Sequence, residues 1–154
     1  MEFRADKPSD SSTIESLFAS VFSHSEGEQE GKLIGNLAKE LIATTKSRDL
    51  YGFVAVDGEQ IVGALFFSRL TFESNIDELI LAPVADRTEN QGKGIGQALI
   101  THGLRELKKN GVRVVTTYGD PAFYSKVGFH PLSPDMIQAP LKLSHPEGWL
   151  GQSL

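Results

Sequence analysis

Gln91-Gly92-Lys93-Gly94-Ile95-Gly96 sets three glycines on alternate positions, directly ahead of Gln97 to Lys109, a run that can be helical. Glycine tolerates backbone angles closed to other residues and lets another molecule approach the main chain. A helix start presents unpaired N–H groups and the positive end of the helix dipole. Together these make an anion seat, and a phosphate or pyrophosphate is its usual occupant. Two phosphate loops can be set aside. A P-loop needs a glycine, four residues, then Gly-Lys-Ser/Thr, but Arg87 stands five before Gly92 and Gly94 follows Lys93. In G-x-G-x-x-G the third glycine comes later than Gly96 does here. The pattern present is Q-x-x-G-x-G, on Gln91, Gly94 and Gly96. A glycine-rich turn without a ligand reads the same way over six residues, so the surrounding elements have to decide.

Those elements form a coherent order. Phe3-Arg4-Ala5 reads as a first strand, and Ser9 and Asp10 are N-cap candidates for a helix whose Ile14, Leu17, Phe18, Val21 and Phe22 make one apolar stripe. Ser23 to Glu30 is polar and reads as a loop. A second amphipathic helix carries Leu33, Ile34, Leu37, Ala38, Leu41 and Ile42 on one broad face. Tyr51 to Val56 and Gln60 to Arg69 are strands joined at Asp57-Gly58, a strong hairpin signal. A turn at Glu73-Ser74-Asn75 leads to a strand from Ile76 to Leu81, which makes an antiparallel meander, and the pattern breaks after Pro83. The helix behind the glycine loop buries Ile95, Leu99, Ile100, Leu104 and Leu107 and stops at Asn110-Gly111. Val112 to Tyr118 is a buried strand, parallel to the one before the loop in a right-handed crossover. Asp120-Pro121 caps a short helix that Gly128-Phe129 closes, and Ile137 to Leu143 can form a last strand.

Composition narrows the function classes. The 154 residues suggest a single domain over 1–154 with one real core. Runs such as Ala64 to Phe67 are far too short to span a bilayer, and residues 1–20 show no apolar segment of a secretory signal, so a cytoplasmic location is expected. There are no cysteines, which excludes disulfides, zinc–thiolate sites and a cysteine nucleophile. His24, His102, His130 and His145 lack metal-ligand spacing, so no metal is expected. The net charge of −5 argues against nucleic acid as the main partner, because such binding draws on Lys and Arg against phosphates.

The glycine loop resembles the acetyl-CoA signature of the GNAT superfamily of N-acetyltransferases. A second motif strengthens the resemblance: Gly119-Asp120-Pro121-Ala122-Phe123-Tyr124-Ser125-Lys126-Val127-Gly128-Phe129, one helix and one strand beyond the loop, looks like the G-D-P-x-[FY]-Y-x-[KR]-x-G-F ending of one GNAT branch. The strand and helix order from residue 3 to about 143 agrees. The resemblance implies an α/β fold with a mixed, mostly antiparallel central sheet splayed into a V-shaped cleft, flanked by about four helices. It implies acetyl-CoA in that cleft as co-substrate. The pyrophosphate would meet backbone N–H groups of Gln91, Gly92, Lys93, Gly94, Ile95 and Gly96, and the pantetheine arm would pair with the main chain at Val84, Ala85 and Asp86. An N–H there would polarise the thioester carbonyl. Asp86-Arg87-Thr88-Glu89 departs from the family, where a more apolar residue and a proline are common, which puts the register of this segment in question.

The same resemblance implies the catalytic groups. An alkyl ammonium has a pKa near 10.4, so a neutral-pH reaction needs a proton acceptor. Asp77 and Glu78 are the nearest carboxylates, at most one faces the cleft because strand neighbours alternate, and Glu78 is preferred. Tyr124 stands where the family's general acid lies, ready to protonate the departing CoA thiolate. Each has a plainer reading, Glu78 as a solvated or core-edge carboxylate and Tyr124 as a packed ring. Acetyl transfer to a primary amine of a small molecule, peptide or protein is therefore the leading expectation. A non-catalytic acyl-CoA-binding or sensing domain is the alternative, and a toxin-like enzyme acting on charged tRNA is disfavoured by the acidic balance. Trp149 and Leu150 either cover the domain or meet a partner, and monomer and homodimer both stay open.

Overall fold

Alternation along the central strands dictates two apolar layers, one on each face of a sheet. The computed structural model describes residues 1–69, 78–132 and 146–154, and the sheet has seven strands among them. They are β1 (Glu2–Ala5), β2 (Leu50–Asp57), β3 (Gln60–Arg69), β4 (Glu78–Asp86), β5 (Val114–Tyr118), β6 (His130–Pro131) and β7 (Trp149–Ser153), in the order β1-β2-β3-β4-β5-β7-β6. The first four pair antiparallel in sequence, and β4 and β5 pair in parallel. The helices are α1 (Ser11–Glu26), α2 (Glu28–Thr44), α3 (Ile95–Lys109) and α4 (Pro121–Tyr124). This is the α/β architecture expected, a mostly antiparallel open sheet flanked by helices.

The crossover helix α3 covers one face. Its Leu99, Ile100, Leu104 and Leu107 pack on Phe53, Leu65, Phe67, Leu79 and Leu81. Gly103 lets it come close, since a Cβ there would lie 2.7 Å from Phe67 Cε2. The other face carries Val54, Ala64 and Phe66, the alternate positions of β2 and β3, and Ala85, which lies beyond a register shift in the β3–β4 pairing, under Ile14, Leu17, Phe18 and Val21 of α1.

Several local readings change. Ser23 to Glu30 is not a loop: α1 runs to Glu26, Gly27 turns the chain at φ 100°, and α2 starts at Glu28. Polar residues fit an exposed helix end as well as a loop, and only the glycine carries the break. Of the expected face of α2, Ala38 is buried and Ile34, Leu41 and Ile42 pack partly buried on the core, but Leu33 and Leu37 are 62% and 42% exposed, and Gly31 and Gly35 are buried in their place. A Cβ on Gly35 would lie 3.0 Å from Ala19 Cβ, and one on Gly31 would overlap Ser23 Oγ. Small residues thus set the approach of α1 to α2, and Leu33 and Leu37 are left outside that contact. Strand β4 also continues through Pro83 to Asp86, because Val84, Ala85 and Asp86 pair with Leu65, Ala64 and Gly63 after a register shift opposite Leu65–Phe67. A proline is tolerated where the strand has no second neighbour.

Trp149 and Leu150 are wholly buried in β7, which inserts between β5 and β6. The turn at Glu73-Ser74-Asn75 and the strand expected at Ile137 to Leu143 lie outside the described residues. Among the described residues no helix is long and apolar enough to cross a membrane.

Candidate active site

The site begins where β4 loses a neighbour. Pairing with β3 extends to Asp86, opposite Gly63, but pairing with β5 covers only Glu78–Leu81 against Val114–Thr117. Beyond Leu81 the edge of β4 that faces β5 is open. The Arg87 N–H reaches back to the Val62 carbonyl at 2.7 Å. By strand alternation, the main-chain groups of Val84 and Asp86 therefore face the open side. The Asp86 carbonyl confirms this direction by accepting from Gln91 Nε2 at 3.3 Å.

A cavity of about 340 Å³ occupies the opening. It is lined by Val84, Ala85 and Asp86 of β4, by Gln91, Gly92 and Gly96 of the glycine loop, by Phe123 and Tyr124 of α4 and by Val21, Phe22 and Ser25 of α1. The structure therefore brings Val84, Ala85, Asp86, Gln91, Gly92, Gly96 and Tyr124 together. Sequence reasoning missed the lining role of Val21, Phe22, Ser25 and Phe123. The apolar stripe of α1 marked Val21 and Phe22, but as core residues.

The glycines of the loop have different reasons to be glycine. Gly92 and Gly94 have φ of 83° and 77°, with open space where a Cβ would point, and Gly94 is the N-cap of α3. Gly96 has no unusual φ; a Cβ there would lie 2.8 Å from Asp86 Oδ2. Its N–H donates to that same oxygen at 3.0 Å, and the Gln91 N–H donates to the Thr88 carbonyl at 3.3 Å. The N–H groups of Gly92, Lys93, Gly94 and Ile95 have no main-chain partner among the described residues. Four unpaired N–H groups at a helix N-terminus are donors of the kind that an anion can take. The Lys93 side chain is exposed at its rim.

Tyr124 is positioned by its own short helix. The Asp120 carboxylate accepts from the Ala122 N–H at 3.0 Å, Pro121 opens α4, and Gly128 at φ 94° ends the 3-10 turn that follows. Phe123 and Phe129 meet the Tyr124 ring edge-on, with centroids 4.9 and 5.7 Å away. A Cβ on Gly119 would lie 2.6 Å from the ring, which accounts for that glycine in the motif. Burial pushes the Tyr124 phenol up, and the Asp120 charge adds to this, while the Thr117 hydroxyl works the other way. A phenol so placed keeps its proton at neutral pH and can give it to a developing anion.

Glu78 lies at the start of β4, 2% exposed, and is not among the residues lining the cavity. Its Oε1 and the neighbouring Thr116 Oγ1 are both buried with no hydrogen-bond partner of good geometry among the described residues. Burial raises its carboxyl above the usual range, moderated by the Thr116 hydroxyl. Asp77, the other candidate carboxylate, lies outside the described residues. Among the described residues no group of acidic residues and histidines is arranged to hold a metal ion.

Comparison with known proteins agrees with this geometry. Residues 48–131 match the family model described as an acetyltransferase (GNAT) domain. The chain is 32% identical over 131 residues to the uncharacterised N-acetyltransferase YhbS of Escherichia coli, covering 84% of this chain and 73% of that one. The crystal structure of YhbS in complex with CoA superposes with a TM-score of 0.75 at 26% identity, over 99% of this chain and 80% of that one. A GNAT family acetyltransferase from Brucella melitensis, solved with acetyl-CoA, gives 0.74 at 28% identity, over 84% and 82%.

Proposed function

The chain belongs to the GNAT family of acetyltransferases, and from that premise we propose that it acetylates a primary amine of a small molecule, peptide or protein by direct attack in a ternary complex. Acetyl-CoA is the co-substrate, and when bound it supplies an acetyl group activated as a thioester. The open edge of β4 carries this reading, because the cavity beside it runs between the glycine loop and Tyr124.

Each end of that cavity has a task. The N–H groups of Gly92, Lys93, Gly94 and Ile95 hold the pyrophosphate. Val84, Ala85 and Asp86 offer the main chain with which the pantetheine arm pairs, and the Val84 N–H faces the side where a carbonyl oxygen gains negative charge. Val21, Phe22 and Phe123 exclude water from this stretch. Tyr124 protonates the departing sulfur. Glu78 takes the proton of the acceptor ammonium through water, since its own carboxyl is enclosed; Asp77 or a chain of waters is the alternative route. A carboxyl raised by burial is the better base for this task.

Release of free CoA thiol over a panel of amines tests the proposal. At least one primary amine should drive release above the hydrolysis rate, with initial-rate lines that intersect. Parallel lines would place an acyl-enzyme on the path, and no stimulation by any amine would sink amine transfer.

A further inference from the structure

Asp86 is an acid placed beneath an anion seat. Its carboxyl is wedged between two glycines: a Cβ on Gly63 of β3 would lie 3.2 Å from Oδ1, and one on Gly96 of α3 would lie 2.8 Å from Oδ2. Oδ2 accepts the Gly96 N–H, while Oδ1 is buried without a partner among the described residues. The Asp86 carbonyl holds Gln91 Nε2, so this one residue braces both ends of the glycine loop.

We propose that Asp86 is a positioning residue that also meters co-substrate affinity: it fixes the loop through Gly96 and sets a titratable negative charge beneath the pyrophosphate seat, so that binding takes up a proton. The inference rests on the reading of the loop as that seat. Among the described residues no cation pairs with this carboxylate. Arg87 is turned to Glu89 at 3.3 Å, and Lys93 is exposed at the rim. On α1 the exposed His24 and Glu26 flank the lining residue Ser25, and α4 brings Tyr124 with Asp120 before it. The part of β3 around Gly63 and the first two turns of α3 bring none. Burial already lifts the Asp86 carboxyl, against the pull of the Gly96 N–H. A bound pyrophosphate lifts it further, because like charges disfavour ionisation. Affinity is therefore greatest below the free-protein pKa of Asp86, falls as pH rises from that value through the bound-state one, and is flat above.

Dephospho-CoA is the probe, since the 3′-phosphate of CoA titrates near pH ~6 and would mask the effect. Calorimetry from pH 5 to pH 8 in paired buffers of different ionisation enthalpy reads affinity and proton uptake together. Wild type should weaken about three- to tenfold over this range and take up on the order of half a proton at the maximum. Asp86→Asn keeps an acceptor for the Gly96 N–H and removes the charge; it should bind at pH 8 as tightly as wild type does at pH 5, with no uptake. His24→Gln should keep the wild-type profile. If Asp86→Asn does not fold, uptake retained by His24→Gln still supports the proposal. A flat wild-type profile, uptake that persists in Asp86→Asn, or uptake lost in His24→Gln would overturn it. Failure of wild type to bind either CoA or dephospho-CoA would instead bring down the pyrophosphate seat itself.

Discussion

In the proposed reaction Tyr124 and Glu78 act through protons, and their surroundings say in which direction each is tuned. Burial keeps the proton on the Tyr124 phenol, which suits the donor role proposed for it, but a thiolate is a tolerable leaving group near neutral pH. Tyr124→Phe should therefore lose roughly 10- to 10³-fold in turnover, inside or below the usual gain of about 10²–10⁴ from general-acid catalysis, with CoA affinity nearly unchanged. Full turnover in a single-turnover experiment with its best amine would return Tyr124 to a packing role. Glu78→Gln should lower kcat most at neutral pH, and the defect should shrink as pH nears the amine's own pKa, about 10.4 for a lysine-like acceptor. A defect constant from pH 7 to 10 would move Asp77 or water ahead. Stability gives an independent check. A carboxyl raised in the fold favours folding below its unfolded pKa and loses that advantage as pH rises through its folded value. Glu78→Gln should thus hold or raise the melting temperature at pH 7.

The glycine loop and α3 work as one element. Gly94 at φ 77° turns the chain into the helix, next to the N–H groups of Gly92 to Ile95, which are unpaired among the described residues. Gly94→Val has room for its side chain but not the backbone angle, at a cost of about 1–3 kcal/mol if the angle is kept. The loop is expected to relax instead. CoA affinity should fall at least about tenfold by calorimetry while the circular dichroism stays that of wild type. Lys93→Ala, which leaves the main chain alone, should matter less. Replacing Gly96 tests something different: its Cβ would press on the Asp86 carboxylate, with no unusual angle to close.

At the scale of the molecule, the cleft exists because β4 has two neighbours for its first half and one for its second. The α1 helix closes the cleft from the opposite face, and the start of α1 is tied to the edge strand β1. Arg4 of β1 donates to both oxygens of Asp10, at 2.8 and 3.2 Å, and the Lys7 N–H donates to Asp10 as well. The Arg4 guanidinium holds the Asp10 carboxyl below its usual range. A depressed carboxylate contributes stability above its unfolded pKa and loses it as pH falls through the folded value. Asp10→Asn should cost about 1 kcal/mol in urea unfolding at pH 7, and the gap to wild type should close below about pH 4. A gap independent of pH would show that packing, not the charge, matters there.

Features with a local cause were legible in the sequence alone. The Asp57-Gly58 hairpin, the Gln91–Gly96 loop, the period of α3 and the Asp120-Pro121 start of α4 each follow from a backbone angle, a cap or a repeat carried by the residues themselves. That is why the family resemblance could be read before any coordinates, and the resemblance in turn implied the grouping of Val84–Asp86 with the loop and Tyr124. What remained depended on pairings distant in sequence. Leu33 and Leu37 have the spacing of a buried face, but the contact of Gly31 and Gly35 with Ser23 and Ala19 turned them outward. The tail strand at Trp149 has no alternation to announce it; its place was decided by the vacant edge of β5. Gly96 read as a ligand-facing glycine, and only the approach of β4 revealed Asp86 against it. Local chemistry reaches a few residues along the chain, whereas the enclosure of Glu78 and the brace at Asp86 are made by strands and helices meeting from opposite ends of it.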